Sequence, residues 1–205
     1  GGEPIFNSLV LVEDKKIVYA GAAKPYGADY ETRDISGKTV MPGLVDTHLH
    51  FSGNLTADDT EWVLEDVIQK TVVAVQQAHE CLEHGLTTVG KISRSGIQIR
   101  NMIEAGVMTG PRVVASGRGF CRTCGHGDSH KLPSWYNEES HPWAERVDGP
   151  WELRKAVRSR LRQDPDAIKI WSTGGGIWHW DKKTDQHYTM EEIQAVVDEC
   201  RMVGI

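Results

Sequence analysis

From residue 44 to the end of the chain, strand-like segments alternate with segments whose apolar residues recur every three or four positions. The strand-like runs are residues 44–50, 87–92, 112–116 and 167–173. Each run is followed by a helical pattern, which indicates four successive βα units. Strands and helices that alternate in this way form a parallel sheet with right-handed crossovers. The sequence therefore predicts an α/β fold, either an open doubly wound sheet or a barrel.

The predicted helices have apolar faces and suitable residues at their ends. The first two are residues 61–84 and 97–105, and a glycine follows each of them. Pro150 is placed to begin the third helix, and Thr189 with Glu192 has the spacing of a capping box before the fourth. No glycine-rich phosphate-binding pattern follows a strand, which weakens the case for a nucleotide-binding open sheet.

The first forty residues have a different pattern. Residues 8–13 and 16–20 are short apolar runs separated by a charged turn, which predicts a β-hairpin. Residues 30–40 are again of extended type, and a Met-Pro-Gly sequence then marks a change of organisation. We therefore expect part of a small β domain at residues 1–42 and the βα units at residues 43–205.

Composition narrows the classes of partner. A formal net charge of -6 gives no basic surface of the kind that nucleic-acid binding needs. No run approaches the ~20 apolar residues that span a bilayer, and the first residues lack a secretory pattern. Four cysteines are too few for a disulfide scaffold. We expect a cytoplasmic protein, assembled as a homo-oligomer, that acts on a small molecule or dipeptide and binds neither nucleic acid nor membrane.

The strongest candidates for chemistry are His48 and His50, at the end of the first predicted strand of the βα units. Residues two apart in a strand project to the same side, so the two imidazoles are spaced to bind one metal ion. In a barrel that side is the interior, and active sites lie at the carboxyl ends of the strands. Two histidines that merely pack or face water are the alternative.

Lys169 is the second candidate, because it lies within the fourth predicted strand between Ile168 and Ile170. In a barrel its amine would point into the interior while both neighbours face the helices. Burial without a partner favours the neutral amine. A lysine whose stem lines the core and whose amine meets a carboxylate is the alternative.

Five segments resemble the amidohydrolase superfamily in order and approximate spacing. They are residues 37–50 (GKTVMPGLVDTHLH), 85–89 (GLTTV), 110–113 (GPRV), 125–128 (GHGD) and 168–176 (IKIWSTGGG). The most similar branch contains the imidazolonepropionase-like and Xaa-Pro-dipeptidase-like amidohydrolases. The resemblance implies a (β/α)8 TIM barrel, of which this chain would be the N-terminal half, preceded by part of a small β-sandwich domain.

The resemblance also implies a chemistry: metal-dependent cleavage of an amide-type C–N bond in a dipeptide, a carbamate or urea, or a cyclic amide. Two divalent ions, which we expect to be zinc, would be bridged by a hydroxide and by Lys169 carboxylated with carbon dioxide. His48 and His50 would bind one of these ions. The family takes further histidine ligands and a catalytic aspartate from later strands. We therefore expect a complementary C-terminal half, without which this part would be inactive.

Four further residues are candidates for the substrate site: His126, which the resemblance assigns, and Gly174, Gly175 and Trp178, which follow the fourth predicted strand. In related enzymes the histidine matching His126 lies next to the substrate, which implies a substrate-binding and catalytic residue that polarises a carbonyl. Gly174 and Gly175 would let the backbone approach the ligand closely, and Trp178 would line the substrate site. A surface histidine, a flexible glycine turn and a tryptophan packed on another part of the protein are the alternatives.

Cys121 and Cys124 form a C-x-x-C pair that two histidines follow. Such a pair can hold structural zinc or act in redox chemistry, although no second pair at zinc-finger spacing is present. The simpler interpretation is two small residues in a substrate loop. Two other functions stay open: a non-catalytic amidohydrolase-like subunit or binding scaffold, and a zinc-stabilised interaction module centred on these cysteines.

Overall fold

The computed structural model describes residues 2–51, 58, 61, 65–135, 141 and 143–205. The chain forms two compact units, Gly1–Met41 and Pro42–Ile205. The strands are β1 (Ser8–Glu13), β2 (Lys16–Ala22), β3 (Leu44–Leu49), β4 (Leu86–Ile92), β5 (Arg112–Gly117), β6 (Gly119–Cys121) and β7 (Ala144–Arg146). The helices are α1 (Val67–Glu83), α2 (Gly96–Glu104), α3 (Pro150–Leu161) and α4 (Met190–Val203). None of the helices within these described ranges has the length and apolarity needed to cross a membrane.

The first unit contains the predicted β-hairpin. β1 and β2 pair antiparallel, starting with Ser8 opposite Ala22. Asp14 and Lys15 connect them with φ values of 45° and 63°, the left-handed conformations that match a two-residue turn to the twist of its strands. Residues 30–40, expected to be extended, form no strand. The described part of this unit therefore holds one two-stranded sheet, and the expected β-sandwich stays a prediction.

A parallel sheet in the order β3-β4-β5 forms the centre of the second unit. α1 and α2 pack with it around one apolar core, which includes Ala74, Ala78, Cys81, Val89, Ile97, Ile99, Val113 and Ala115. α1 begins at Val67, later than predicted, because the Asp66 carboxylate accepts a hydrogen bond from the Ile68 N–H at 2.7 Å and caps the helix there. Residues 62–64 of the predicted helix lie outside the described residues.

The connection between β5 and α3, which lacks periodicity, contains a second parallel pair. Gly117 has a φ of 67°, and β6 starts two residues later. β6 pairs with β7, from Gly119 opposite Ala144 to Cys121 opposite Arg146. These short strands pair the beginning of this connection with its end.

Residues 167–173, predicted as the fourth strand, are extended but do not form a regular strand. The segment runs parallel to β6 but is joined to that strand by one bridge only, between Phe120 and Ile170, among the described residues. Its backbone hydrogen bonds join Phe120 N–H to the Lys169 carbonyl at 2.8 Å and Trp171 N–H to the Phe120 carbonyl at 3.0 Å. A continuous ladder does not form, because the neighbouring chain is interrupted at Gly117, where the left-handed backbone separates β5 from β6.

Asp166 anchors the start of this segment to β5. Its N–H donates to the Ala115 carbonyl at 2.8 Å, and its carboxylate accepts from the Ala115 N–H at 2.7 Å. The same carboxylate accepts from the buried guanidinium of Arg100, on α2, at 2.8 Å. The start of the segment that carries Lys169 is therefore held by both backbone and side chain.

α3 and α4 begin as the sequence predicts. Pro150 occupies the first turn of α3, and Thr189 forms a reciprocal capping box with Glu192 at the start of α4. Between the two helices, the buried Glu199 carboxylate accepts hydrogen bonds from Arg158 at 2.7 and 2.8 Å and from Arg154 at 3.2 Å. Hydrogen bonds from these arginines lower the pKa of Glu199 despite its burial.

Candidate functional site

A cavity of about 650 Å³ contains every residue that the sequence analysis places in the site. These residues are His48, His50, His126, Lys169, Gly174, Gly175 and Trp178. They come from the end of β3, the loop after β6 and the extended segment with the loop that follows it. Residues separated by more than a hundred positions thus surround one space.

His48 and His50 project to the same side of the chain, and their ring centroids lie 5.2 Å apart. His50 Nδ1–H donates to the Ile92 carbonyl at the end of β4, at 2.7 Å. This hydrogen bond leaves Nε2 as the nitrogen that can bind a metal ion. Protein atoms around the ring lower the pKa of His50 by desolvation, which favours the neutral form that metals bind.

Lys169 extends past Gly119 of β6. A Cβ added to Gly119 would lie 2.7 Å from Lys169 Cγ and 2.6 Å from the Trp171 ring, so the glycine leaves room for both side chains. Lys169 Nζ lies 5.5 Å from the Trp171 ring centroid. The side chain is half-buried, and this burial lowers the pKa of its amine.

His126 is held by a carboxylate that the sequence analysis missed. Asp181 is fully buried, and its Oδ2 accepts a hydrogen bond from His126 Nδ1–H at 2.9 Å. Asp181 also accepts the N–H groups of Gly175 at 2.8 Å and Ile177 at 3.0 Å. Burial by itself raises the pKa of Asp181, but hydrogen bonds from His126 and the two backbone groups outweigh it and lower the pKa. No motif marks this aspartate in the sequence.

The loop that contains Asp181 folds back on the extended segment. Thr173 forms an antiparallel bridge with Gln186, and the His187 N–H donates to the Ser172 carbonyl at 2.8 Å. His187 is a second residue that the sequence analysis missed. Its side chain is fully buried, with Nε2 3.8 Å from Asp181 Oδ1, and within the described parts of the chain neither ring nitrogen has a hydrogen-bond partner.

Three tryptophans line the cavity: Trp143, Trp171 and Trp178. Trp143 lies 6.0 Å from the His50 ring, and Trp171 lies 6.2 Å from the His126 ring, measured between centroids. Trp178 Nε1–H donates to the His126 carbonyl at 3.1 Å. The cavity therefore combines imidazole and amine groups with large apolar surfaces.

Within the described residues, Cys121 and Cys124 of the C-x-x-C pair do not belong to a group that could hold structural zinc. Cys121 is fully buried in β6, and burial raises the pKa of its thiol to about 12, which disfavours the thiolate that binds metals and reacts. Cys124 has a φ of 63°, and its N–H donates to Asp128 at 2.8 Å. Both cysteines are free. Among the residues that the structure describes, no three His, Cys, Asp or Glu side chains are grouped so as to hold a metal ion, so any metal site also needs Lys169 or further ligands.

Comparison with known proteins relates this site to characterised relatives. The chain is 28% identical over 216 residues to ochratoxinase from Aspergillus niger, a match covering 97% of this chain and 45% of that protein. The crystal structure of A. niger ochratoxinase matches with a TM-score of 0.80 at 26% identity, over 98% of this chain and 51% of the other. The chain thus spans about half the length of these relatives.

Two further relatives belong to the branch suggested by the sequence. A Xaa-Pro dipeptidase crystallised with methionine in its active site matches with a TM-score of 0.77 at 27% identity, over 96% of this chain and 50% of that one. Imidazolonepropionase from Staphylococcus aureus is 48% identical over 46 residues, which are 22% of this chain and 11% of that protein.

The family model covers most of the chain. Residues 39–205 match the model of the amidohydrolase family, and this range includes every residue assigned to the cavity. The α/β fold of the second unit and the similarity to solved structures agree with that match. The predicted resemblance is therefore confirmed: the chain belongs to the amidohydrolase family.

Proposed function

We propose that the protein is a metal-dependent hydrolase that cleaves an amide-type C–N bond, and that this chain provides part of its metal site and the side that binds the substrate carbonyl. The observation that carries the proposal is the convergence of His48, His50, Lys169 and His126 on one cavity. Membership of the amidohydrolase family supports the reaction class. Further metal ligands and a proton-transferring aspartate would come from a complementary C-terminal part.

The residues present fit a divalent metal such as zinc. The hydrogen bond from His50 Nδ1–H to Ile92 fixes the tautomer that exposes Nε2, and the His48 ring lies beside it. A half-buried amine at Lys169 is suited to react with carbon dioxide, and the resulting carbamate would add anionic oxygen ligands. In our proposal His48 and His50 would bind one of two zinc ions, carboxylated Lys169 would be a ligand shared by both, and the complementary part would supply the other ligands. Bound zinc would lower the pKa of a water molecule and polarise a carbonyl group.

His126 would bind the substrate carbonyl. Its Nδ1–H is occupied by Asp181, so Nε2 is the ring nitrogen left for a ligand. When protonated, Nε2–H can donate to the carbonyl oxygen and stabilise the negative charge that develops there. Gly175 leaves the space that this ring needs, since a Cβ at that position would overlap it.

The apolar surfaces favour a substrate with a ring or another bulky apolar group beside the scissile amide. Trp143 lies on the His50 side of the cavity, and Trp171 and Trp178 lie near His126. Aromatic walls bind apolar groups through large contact areas. Dipeptides, carbamates or ureas, and cyclic amides that carry such groups are the proposed substrate class.

The test compares the whole protein with its Lys169→Ala variant. We expect wild-type protein to contain bound zinc and to show, in its native mass, the labile addition of one carbon dioxide. Lys169→Ala should lose the carbon dioxide and most of the metal, and with them the hydrolysis of a panel of amides with aromatic groups. Lys155→Ala, an exposed lysine on α3, is the matched control and should change none of these.

A different outcome would favour the other function that the sequence left open. Folded wild-type protein without metal, unchanged by Lys169→Ala, would contradict the hydrolase. It would indicate a non-catalytic member of the family that acts as a binding scaffold.

A further inference from the structure

We propose that Asp181 is a positioning residue that fixes two groups in one arrangement for substrate binding. These groups are the ring of His126 and the glycine loop, residues 174–176. The inference rests on the proposed function, because it assigns a role to His126 in binding the substrate. Asp181 has no exposed side-chain surface, so it acts on the substrate through His126 and not by contact with solvent or ligand.

Three donors converge on the two carboxylate oxygens. Oδ2 accepts from His126 Nδ1–H at 2.9 Å and from the Ile177 N–H at 3.0 Å, while Oδ1 accepts from the Gly175 N–H at 2.8 Å. An ionised carboxylate accepts at both oxygens and donates at neither, which suits it to three converging N–H groups. Hydrogen bonds to a buried charged acceptor are among the stronger ones in proteins.

These bonds join two parts of the chain that are distant in sequence. His126 belongs to the loop after β6, and Asp181 lies 55 positions later, in the loop after the extended segment. Trp178 Nε1–H donates to the His126 carbonyl, which adds a second link between the loops. The backbone also closes around Asp181, because its carbonyl accepts from the Gly176 N–H at 2.6 Å. The histidine ring and the glycine loop are thus positioned together.

The arrangement also selects one tautomer of His126. A carboxylate cannot donate, so the ring nitrogen facing it, Nδ1, must carry a proton. The other nitrogen, Nε2, is then free to meet a ligand, as a donor when the ring is protonated and as an acceptor when it is neutral. His187, on the other side of the carboxylate, is too far at 3.8 Å to compete by hydrogen bonding.

The substitution Asp181→Asn changes this arrangement while keeping the shape of the side chain. An asparagine offers one oxygen acceptor, and its amide group would face an N–H donor at the other position. With the amide group at the Oδ1 position, the Gly175 N–H loses its acceptor and His126 donates to a neutral oxygen. With the amide group at the Oδ2 position, the Ile177 N–H loses its acceptor and the His126 ring must change tautomer to accept. Asp185→Asn is the matched control, because Asp185 lies in the same loop and its carboxylate accepts only a backbone hydrogen bond from Lys182 among the contacts that the structure describes.

The first measurement needs no substrate. In the whole protein with 15N-labelled histidine, we expect an Nδ1–H resonance of His126 protected from exchange with water, assigned by its loss in His126→Ala. Asp181→Ala, which removes both acceptor oxygens, should expose this N–H to exchange or convert the ring to the Nε2–H tautomer, and Asp185→Asn should leave it unchanged. A wild-type ring protonated at Nε2 alone would overturn the proposal, whether or not the Asp181 variants fold.

The second measurement asks whether Asp181 acts through His126. With a hydrolysed amide, we expect Asp181→Asn to lower kcat/KM by about 10–100-fold with the metal content unchanged. In a His126→Ala background the same substitution should lower it by a clearly smaller factor, because the ring, one of the two groups that Asp181 positions, is already missing. Equal effects in both backgrounds would overturn the positioning role. If the protein hydrolyses no amide and holds no metal, the proposed function fails, while the resonance of His126 still decides the role of Asp181.

Discussion

The cavity has two walls that are built in different ways. The strand wall consists of His48 and His50, and the loop wall consists of His126, Gly175 and Trp178. In the strand wall, the parallel pairing of β3 with β4 fixes the backbone, and side-chain alternation directs both rings to one side. The loop wall has little such pairing, and side-chain hydrogen bonds hold its parts together.

This difference predicts how far the effect of a single substitution spreads in each wall. Support for the strand wall is spread over the ladder of a sheet, so we expect that replacing one histidine removes a proposed metal ligand without moving its neighbour. Support for the loop wall is concentrated in the carboxylate of Asp181, which three N–H groups share. A single substitution there changes the positions of several groups. The following predictions test this contrast, beginning with the largest effect.

The largest effect is expected in the strand wall. In the whole protein, His50→Ala should lower zinc affinity by more than about 100-fold, because it removes a ligand and not merely a group that orients one. Metal content after dialysis against a dilute zinc buffer measures this. His79→Ala is the control, since His79 is exposed on α1, where it lies 3.7 Å from Glu83. Equal zinc content in His50→Ala and wild-type protein would show that the strand wall is not a metal site.

A substitution in the loop wall should lower activity without lowering the zinc content. Gly175→Ala adds a methyl group where the His126 ring lies, so the ring must move. We expect kcat/KM to fall by about 100-fold, the size of effect that a 1 Å misplacement can cause, while zinc content stays at the wild-type level. Gly27→Ala, where an added Cβ meets nothing within 4 Å, is the control. Loss of zinc together with activity would show that the two walls are not separable.

A third prediction concerns the packing behind the strand wall. Lys91 of β4 is 1% exposed, its Nζ lies 4.7 Å from the Phe51 ring centroid, and within the described ranges that nitrogen has no hydrogen-bond partner. Burial lowers its pKa from 10.5 to about 6. Between these values the unfolded chain binds a proton that the folded chain does not, so stability rises with pH over that range.

Lys91→Met should therefore stabilise the protein by about 2 kcal/mol near pH 7, because an apolar side chain of similar length removes the cost of burying an amine. The gain should shrink towards pH 10, and urea unfolding at several pH values measures it. Lys155→Met, an exposed position, should show no such pH dependence. A gain that does not vary with pH would contradict the buried neutral amine.

The smallest effect is expected where the loop that carries Asp181 ends. The buried Tyr188 hydroxyl donates to the Val147 carbonyl at 2.9 Å. Tyr188→Phe should lower the free energy of unfolding by about 1 kcal/mol, the usual net value of such a bond. Tyr26→Phe, whose exposed hydroxyl contacts Thr32, should change it less, as urea unfolding would show. No change in Tyr188→Phe would indicate that the loop is held without this contact.

Sequence reasoning was most successful where short-range patterns decide the structure. The hairpin of β1 and β2, the α/β alternation and the capping box of Thr189 with Glu192 all follow from local periodicity and local hydrogen bonding. His48 and His50 could be paired for the same reason, since alternation along a strand places them on one side. The fourth segment was predicted as a regular strand and is irregular, because its pairing depends on an interruption near Gly117, about fifty positions earlier.

The sequence by itself thus determined the family, the α/β alternation and part of the cavity lining, namely His48, His50, His126, Lys169, Gly174, Gly175 and Trp178. The tertiary structure alone decided that Asp181 meets His126, that Cys121 is buried in a strand, and that β6 and β7 pair within the long loop. The physical reason is the range of the interactions. Helix caps and strand alternation depend on neighbours a few residues away, whereas a buried carboxylate finds its donors only when distant loops have folded together.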